Sequence, residues 1–242
     1  MTTATHSVGR ASSPPEAQEK LVRVYVWEWP VRISHWVIFL SLIVLSFTGY
    51  YIYDPFIISR GGGAFLMGKM RFTHEVAAFV FIAAFLLRVY WFFQGNRWAS
   101  WRQFLPFQKH RRKRVREWLK YYLFVRTETI REVGHNPLAG ATYSFVYLLM
   151  FIEILTGLTL YNHIIGSKVL GFFVGWLPSL INIRYLREIH FLILFALWAF
   201  AIHHVYSAVL VGIEERSGLM SGIFSGDKFF PESTLREDAE HQ

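Results

Sequence analysis

Four long apolar blocks interrupt an otherwise polar chain, and they decide which class of protein the sequence encodes. The blocks cover residues 33–53, 72–93, 138–160 and 186–211. A helix of about 20 apolar residues crosses a bilayer core of about 30 Å, so each block is long enough to be a membrane span. The pattern therefore predicts an all-α membrane protein, a four-transmembrane-helix bundle whose helices we number as spans one to four.

A fifth apolar segment, residues 164–183, separates spans three and four, but glycines and Pro178 interrupt it. A fifth span would place the two termini on opposite sides of the membrane and would bury Lys168. We therefore expect this segment to form a helix that lies in the interface at the outer face of the bilayer, where Trp176 anchors it.

The composition agrees with a membrane protein and limits the chemistry that the chain can carry. Charged residues make up 17% of the chain, against about 25% in soluble proteins. The chain has no cysteine, which excludes protein-ligated iron–sulfur clusters, zinc–thiolate sites, disulfides and covalently attached haem. Any redox centre must therefore be held by nitrogen or oxygen ligands.

The net charge of +8 is concentrated between spans two and three, where eleven basic and three acidic residues lie between positions 97 and 132. The loops after spans one and three carry far fewer basic residues. Loops rich in lysine and arginine stay on the cytoplasmic side of a membrane. Because the number of spans is even, both termini are expected in the cytoplasm as well, and the basic run needs no nucleic acid as a partner.

Three segments follow from this topology. Residues 1–20 are rich in Ser, Thr, Pro, Ala and Glu and contain no apolar run, so they are predicted to form a disordered cytoplasmic tail. Residues 21–230 make up the four-helix domain, and residues 231–242 are predicted to be a C-terminal cytoplasmic tail.

Histidines recur inside the apolar blocks, where an unpaired polar group is costly and marks a functional site. His35 lies near the start of span one, at the cytoplasmic face, and His74 near the start of span two, at the outer face. His190 lies near the start of span four, also at the outer face, and His204 follows fourteen residues later on the same span.

The spacing of the two histidines in span four can be converted into depth and direction. Fourteen residues rise about 21 Å along a helix and return to within about 40° of the same face. His204 therefore lies level with His35, while His190 lies level with His74. The sequence predicts an outer pair, His74 and His190, and an inner pair, His35 and His204.

A pair of neutral imidazoles deep in an apolar bundle suits haem b. The two rings fill both axial positions of the iron and leave no site for oxygen or substrate, so such a haem exchanges electrons. A copper or zinc site would need a third or fourth ligand nearby, and neither level offers one. The two pairs therefore predict two haems b in a protein that carries electrons.

Two further residues share the faces of the paired histidines. Gly49 follows His35 by fourteen residues, and its missing side chain would let a flat macrocycle approach, although ordinary tight helix packing also uses glycine. Arg88 follows His74 by fourteen residues at the inner level. It would pair with a propionate of the inner haem, unless it snorkels to the interface.

Two other polar residues in the spans have open roles. His203 points about 140° away from His190, so His204 is the preferred partner of His35. His203 is expected to be satisfied by a haem propionate or by the backbone. Glu153 is a carboxylate well inside span three, where pairing with a partner helix is favoured over a proton relay.

Several short motifs surround these positions. They are Arg32-Ile33-Ser34-His35-Trp36 and the run Leu45 to Thr48-Gly49 in span one; Met70-Arg71-Phe72-Thr73-His74, Arg88-Val89-Tyr90-Trp91 and Gly95-Asn96 around span two; Gly134-His135-Asn136-Pro137 and Leu155-Thr156-Gly157 around span three; and Arg187, His190 and His204-Val205-Tyr206 in span four. Over roughly residues 21–230 the chain resembles the cytochrome b subunit of membrane-bound nickel–iron hydrogenases. Phe191 and Glu153 depart from that pattern, which has a polar or basic residue and an apolar residue there.

The resemblance implies a function that the spacing does not. Subunits of this family accept electrons from the iron–sulfur small subunit of a hydrogenase, and through it from the large subunit, at the outer face. They pass the electrons through two haems to a membrane quinone. For this chain the resemblance implies His74 and His190 as outer ligands, His35 and His204 as inner ligands, a place in the bacterial inner membrane, and no hydrogen-activating site of its own.

Two alternatives remain open from the sequence. The cytochrome b subunit of a formate dehydrogenase shares four spans and paired histidines, although the motifs Gly95-Asn96 and Gly134-His135-Asn136-Pro137 favour the hydrogenase subunit. The second alternative is a non-redox membrane anchor or transporter. It is weak because transporters often have helix-breaking prolines within their spans, and no proline interrupts a span here.

Overall fold

The computed structural model of the chain describes residues 20–57, 65–105, 109–126, 133–215 and 217–240. Its helices and strands, in chain order, are β1 (Leu21–Tyr25), α1 (Trp29–Tyr53), α2 (Leu66–Gln94), a short 3-10 helix (Trp101–Gln103), α3 (Lys109–Tyr122), α4 (Pro137–Ile165), α5 (Lys168–Val174), α6 (Leu177–Leu180), α7 (Ile183–Glu215), α8 (Leu219–Ser225), β2 (Asp227–Pro231) and α9 (Glu232–Glu240).

The predicted all-α bundle of four membrane helices is confirmed. Spans one to four correspond to α1, α2, α4 and α7, and these are the helices within the described residues that are long and apolar enough to cross a bilayer. Each helix begins before the start of its apolar block. At the start of α4, for example, Asn136 accepts a hydrogen bond from Ala139 N at 2.6 Å and Pro137 occupies the first turn.

The four spans pack as two helix pairs, α1 with α2 and α4 with α7, that meet in a shared apolar centre. Leu42 of α1 contacts Val146 of α4 and Ile193 of α7 in that centre. Trp198 of α7 also donates a hydrogen bond to Ser46 of α1 at 2.7 Å. Large apolar side chains cover the outside of the bundle, as a surface that faces lipid requires. Examples are Leu40, Phe47, Leu86, Phe93, Phe145, Leu148, Leu192 and Phe195.

The apolar segment between α4 and α7 does not span a membrane. It folds into α5 and α6, which have 7 and 4 residues, with the half-exposed Trp176 between them. These helices are far too short for a span, so the structure agrees with four spans rather than five. That they lie in the membrane interface stays a prediction.

The basic segment between α2 and α4 contains a helix, α3, where the sequence analysis expected a loop. Trp118 and Tyr121 of α3 are buried against Val211 near the end of α7. The Tyr121 hydroxyl donates a hydrogen bond to Glu214, and burial together with this carboxylate raises the pKa of Tyr121. The helix therefore lies at one end of the bundle, which we call the basic end.

A two-stranded antiparallel sheet, which the sequence analysis did not predict, joins the two terminal regions of the chain at this end. Leu21 of β1 pairs with Pro231 of β2, and Tyr25 pairs with Asp227. Arg23 also donates to Asp227 at 2.6 Å, which raises the pKa of the guanidinium and lowers that of the carboxyl.

The two predicted tails differ in how far the structure describes them. Residues 1–19 lie outside the described part of the chain. Within residues 231–242, the last residue of β2 is followed by α9. The division into tails and a domain at residues 20 and 230 stays a prediction.

Asn96 of the Gly95-Asn96 motif connects the end of α2 to the segment before α1 through hydrogen bonds. Its side-chain amide donates to Val26 O at 3.0 Å, and its backbone N–H donates to the Glu28 carboxylate at 2.8 Å. Glu28 also accepts a hydrogen bond from Trp91 at 2.8 Å. These bonds hold the first two spans in a fixed register, and that register sets the relative heights of His35 and His74.

Candidate functional site

The structure brings the four predicted histidines together as two pairs, each across two helices. The ring centroids of His35 in α1 and His204 in α7 are 6.3 Å apart. Those of His74 in α2 and His190 in α7 are 6.5 Å apart. Helix α7 thus contributes one histidine to each pair. We keep the names inner pair and outer pair, while the membrane side of each stays a prediction.

The separation within each pair is the one that a shared metal atom requires. A metal–imidazole nitrogen bond is about 2 Å long, so one iron between two imidazoles separates their ring centroids by about 6 Å. Both measured distances agree with this value. The two planes are inclined at 54° in the inner pair and 71° in the outer pair.

Threonine hydroxyls contact both histidines of the outer pair at the nitrogen nearer the backbone. The Thr48 hydroxyl of α1 lies 2.9 Å from His74 Nδ1. The Thr156 hydroxyl of α4 lies 3.0 Å from His190 Nδ1. Each contact leaves Nε2 as the ring nitrogen that is available to a metal.

Glycines make room for the same two rings. A Cβ added at Gly49 would lie 3.1 Å from Cε1 of His74, and one added at Gly157 would lie 3.0 Å from Cε1 of His190. Both distances are shorter than ordinary van der Waals contact, so a side chain would push the imidazole aside. The nearest neighbour of Gly49 is thus an imidazole, and the expected approach of a macrocycle to Gly49 stays a prediction.

The inner pair has a different surrounding. His204 Nδ1 lies 3.2 Å from the Tyr143 hydroxyl, and Phe200 stacks on its ring at a centroid distance of 5.4 Å. His35 Nδ1 is buried and has no hydrogen-bond partner among the residues that the structure describes. A buried ring nitrogen without a partner is costly and fits a group supplied from outside the chain.

His203 points away from the inner pair. Its side chain is exposed at the surface of α7. Its Nε2 lies 3.5 Å from the Ser207 hydroxyl, and its ring faces Tyr122 of α3 at a centroid distance of 6.3 Å. The geometry therefore places His204, and not His203, opposite His35.

Arg88 is buried at the inner level and does not snorkel to the surface, since only 4% of the residue is exposed. Its guanidinium lies over Phe92, at 4.4 Å from the ring centroid. Both terminal nitrogens are 3.4 Å from Ala99 O, which is long for a hydrogen bond. Among the described residues no carboxylate lies within ion-pair distance of it. A buried cation of this kind needs an anion, and a haem propionate would supply one.

Glu153 pairs with the neighbouring helix α7, which is the arrangement that the sequence analysis favoured. One carboxyl oxygen lies 3.3 Å from His190 Nδ1. The other is buried without a partner among the described residues. Glu153 therefore belongs to the surroundings of the outer pair.

These observations fit haem b better than a clustered metal site. Within the described part of the chain, no group of three or more His, Cys, Asp or Glu side chains converges as a copper or zinc site would need. Each level instead offers two facing imidazoles. The rings cradled by glycines, the unpartnered His35 nitrogen and the buried Arg88 are all consistent with a large ligand between the helix pairs.

Four residues of these sites were not predicted as site residues from the sequence: Thr48, Thr156, Gly157 and Tyr143. A signal for three of them exists in the sequence. The dipeptide Thr-Gly occurs near the end of α1 and again in the second half of α4. In each case the dipeptide contacts a histidine of the next span. Tyr143 has no such signal, because one tyrosine among many gives no indication of its partner.

Comparisons with known proteins give a consistent result. A family model described as prokaryotic cytochrome b561 matches residues 26–226. The chain is 36% identical over 227 residues to the "probable Ni/Fe-hydrogenase B-type cytochrome subunit" of Rhodobacter capsulatus, covering 91% of this chain and 87% of that protein. The protein of the same name from Cupriavidus necator is 35% identical, with 85% and 87% coverage. The "probable Ni/Fe-hydrogenase 1 B-type cytochrome subunit" of Escherichia coli K12 is 31% identical, with 87% and 93% coverage.

Proposed function

The chain belongs to the prokaryotic cytochrome b561 family, and from this premise we propose that it is the membrane electron-transfer subunit of a nickel–iron hydrogenase. It is a multi-pass membrane protein of the b cytochrome type, similar over most of its length to proteins named as hydrogenase subunits. In this proposal electrons pass from the iron–sulfur small subunit through two b haems to a membrane quinone. The observation that carries it is the presence of two facing histidine pairs at different levels of one bundle.

The four histidines hold the haems in this proposal. His74 and His190 would hold the haem at the outer level, and His35 and His204 would hold the haem at the inner level. When bound in this way, a haem with two imidazole ligands supplies one-electron transfer and has no open position for substrate. Because His190 and His204 lie fourteen residues apart on one helix, about 21 Å along its axis, α7 fixes the distance between the two sites.

Arg88 and the glycines shape the spaces around the haems. Arg88 would neutralise an inner propionate, since its guanidinium is buried and has no carboxylate at ion-pair distance among the described residues. Gly49 and Gly157 keep the outer imidazoles in place without steric conflict. Tyr143 contacts the inner ligand His204 and holds its ring in orientation.

The distribution of charge supports an orientation for this path. Helix α3 and the segments beside it carry most of the excess positive charge, so the basic end of the bundle is proposed to face the cytoplasm. Both termini would then be cytoplasmic, and the outer pair would face the opposite side of the bacterial inner membrane. The hydrogenase small subunit would dock there, on the side of α5 and α6.

The relatives favour this proposal over the two alternatives. Those reported above carry hydrogenase names, whereas nothing in the site favours a formate dehydrogenase. A non-redox anchor would have no use for facing buried imidazoles at two levels. Hydrogen activation itself is assigned to the partner subunits, since this chain has no cysteine to hold a nickel–iron site.

A membrane preparation that contains the complex tests the proposed function. Under anaerobic conditions, hydrogen is expected to produce the absorption bands of reduced b haem, and added quinone is expected to abolish them. A strain without this chain serves as the control: its hydrogenase should still reduce a soluble dye but not quinone. If the b haem is reduced by dithionite or formate but not by hydrogen, the assignment to a hydrogenase is wrong.

A further inference from the structure

The outer pair is surrounded by the same two-residue arrangement twice. On α1, Thr48 contacts Nδ1 of His74 and Gly49 lies against its Cε1; on α4, Thr156 and Gly157 do the same for His190. Both threonines are only 2% exposed. Within the described part of the chain, neither histidine of the inner pair has a threonine at Nδ1. The repeat is therefore a feature of one haem site, and the general packing of the bundle does not explain it.

The direction of each hydrogen bond follows from counting donors. A threonine hydroxyl has one hydrogen to donate and two lone pairs that accept. Thr48 donates its hydrogen to Val44 O at 2.7 Å. Thr156 donates its hydrogen to Ile152 O at 2.8 Å. Each hydroxyl can then only accept from the imidazole, so Nδ1 of His74 and of His190 must carry the proton.

This protonation determines which nitrogen faces the iron. A neutral imidazole protonated at Nδ1 has its lone pair on Nε2, which is the form that binds a metal. We propose that Thr48 and Thr156 are positioning residues that fix the tautomer and the ring orientation of the outer haem ligands. The inference rests on the proposed function, because it assumes that the outer pair holds a haem.

Glu153 makes the two halves of the site unequal. Its carboxyl oxygen is a second acceptor for the Nδ1–H of His190, at 3.3 Å compared with 3.0 Å for Thr156. Among the described residues, Thr48 is the only side chain that contacts His74 Nδ1. Loss of Thr48 therefore leaves His74 with the backbone carbonyl of Leu45 as its remaining acceptor. Loss of Thr156 leaves His190 with both the backbone carbonyl and the carboxyl oxygen of Glu153.

The experiment compares valine substitutions, which remove the hydroxyl and keep the shape of the side chain. The variants are Thr48→Val and Thr156→Val, each in the full complex. Thr159→Val is the matched control, because Thr159 is also 2% exposed and, among the described residues, its hydroxyl bonds only to Leu155 O, at 2.7 Å. Thr48→Ser and Thr156→Ser keep the hydroxyl and should therefore keep the wild-type midpoint potentials.

The readouts are the midpoint potentials of the two haems, their low-spin electron paramagnetic resonance signals and the haem content. A hydrogen bond from Nδ1–H strengthens the imidazole as a donor to iron, so its loss should raise the potential of the outer haem alone. For Thr48→Val we expect the ratio of the affinities for oxidised and reduced haem to change by up to tenfold. A tenfold change corresponds to a shift of ~59 mV in the midpoint potential of the outer haem, because one electron is transferred. Thr156→Val should shift the same haem by less, and Thr159→Val should shift neither.

The outer haem is identified as the one that His74→Ala removes. Equal potentials in Thr48→Val, Thr159→Val and the wild type would overturn the inference, as would an equal shift of both haems. A wild-type chain without haem b would instead refute the proposed function, so the two failures can be distinguished.

Discussion

Replacement of His204 by alanine is expected to remove the inner haem, to halve the haem content of the chain and to stop the reduction of quinone by hydrogen. The reason is that His204 is the ring that faces His35 at 6.3 Å, and a haem b bound through one imidazole loses half of its protein ligation. The outer haem should remain, with its spectrum unchanged. Optical spectra and haem analysis of the purified variant check the result.

His203→Ala is the matched control for this change. His203 is the adjacent residue in α7, but its ring faces Tyr122 and Ser207 instead of His35. This variant should keep both haems and should reduce quinone at close to the wild-type rate. His35→Ala should reproduce the effect of His204→Ala because the two residues form one pair. Loss of a haem from His203→Ala, with both haems retained in His204→Ala, would contradict the assignment of the inner pair.

Replacement of His74 by alanine is expected to remove the outer haem and to stop electron transfer from the electron donor to the inner haem. His74 is the ring opposite His190 at 6.5 Å, and no other described histidine of α2 can replace it. The inner haem should remain and should still be reduced by dithionite. It should no longer be reduced by hydrogen, because in the proposed path electrons reach it only through the outer site.

His163→Ala provides the control for this second change. His163 is an exposed residue near the end of α4, on the same side of the bundle as the outer pair. Its loss should leave both haems and their reduction by hydrogen intact. If hydrogen still reduces the inner haem of the His74→Ala variant at the wild-type rate, electrons do not pass through the outer pair, and the proposed path is wrong.

The membrane spans and the juxtaposition of the histidines were accessible from the sequence because both depend on short-range regularities. Apolar length alone identified α1, α2, α4 and α7. The fourteen-residue spacing from His190 to His204 determined a face and a depth, because a long helix without internal proline has nearly constant geometry. The same regularity correctly distinguished the direction of His204 from that of His203.

Other features could not be predicted from the sequence because they depend on contacts between segments that are distant along the chain. Threonine in a span usually returns its hydrogen bond to its own helix. The repeated Thr-Gly dipeptide therefore did not by itself predict that Thr48 and Thr156 also contact histidines on neighbouring helices. The pairing of β1 with β2 joins segments about two hundred residues apart, which no local pattern predicts. Helix α3 was missed because its basic residues obscured the apolar contact of Trp118.

The most direct test of the account is the number of haems per chain. The chain is purified with its complex, the polypeptide is quantified by amino-acid analysis, and the haem is converted to its pyridine haemochrome and measured by absorbance. Two facing histidine pairs predict two haems b for each chain. A value of one would mean that one pair holds no haem, and a value of zero would exclude an electron path through this chain.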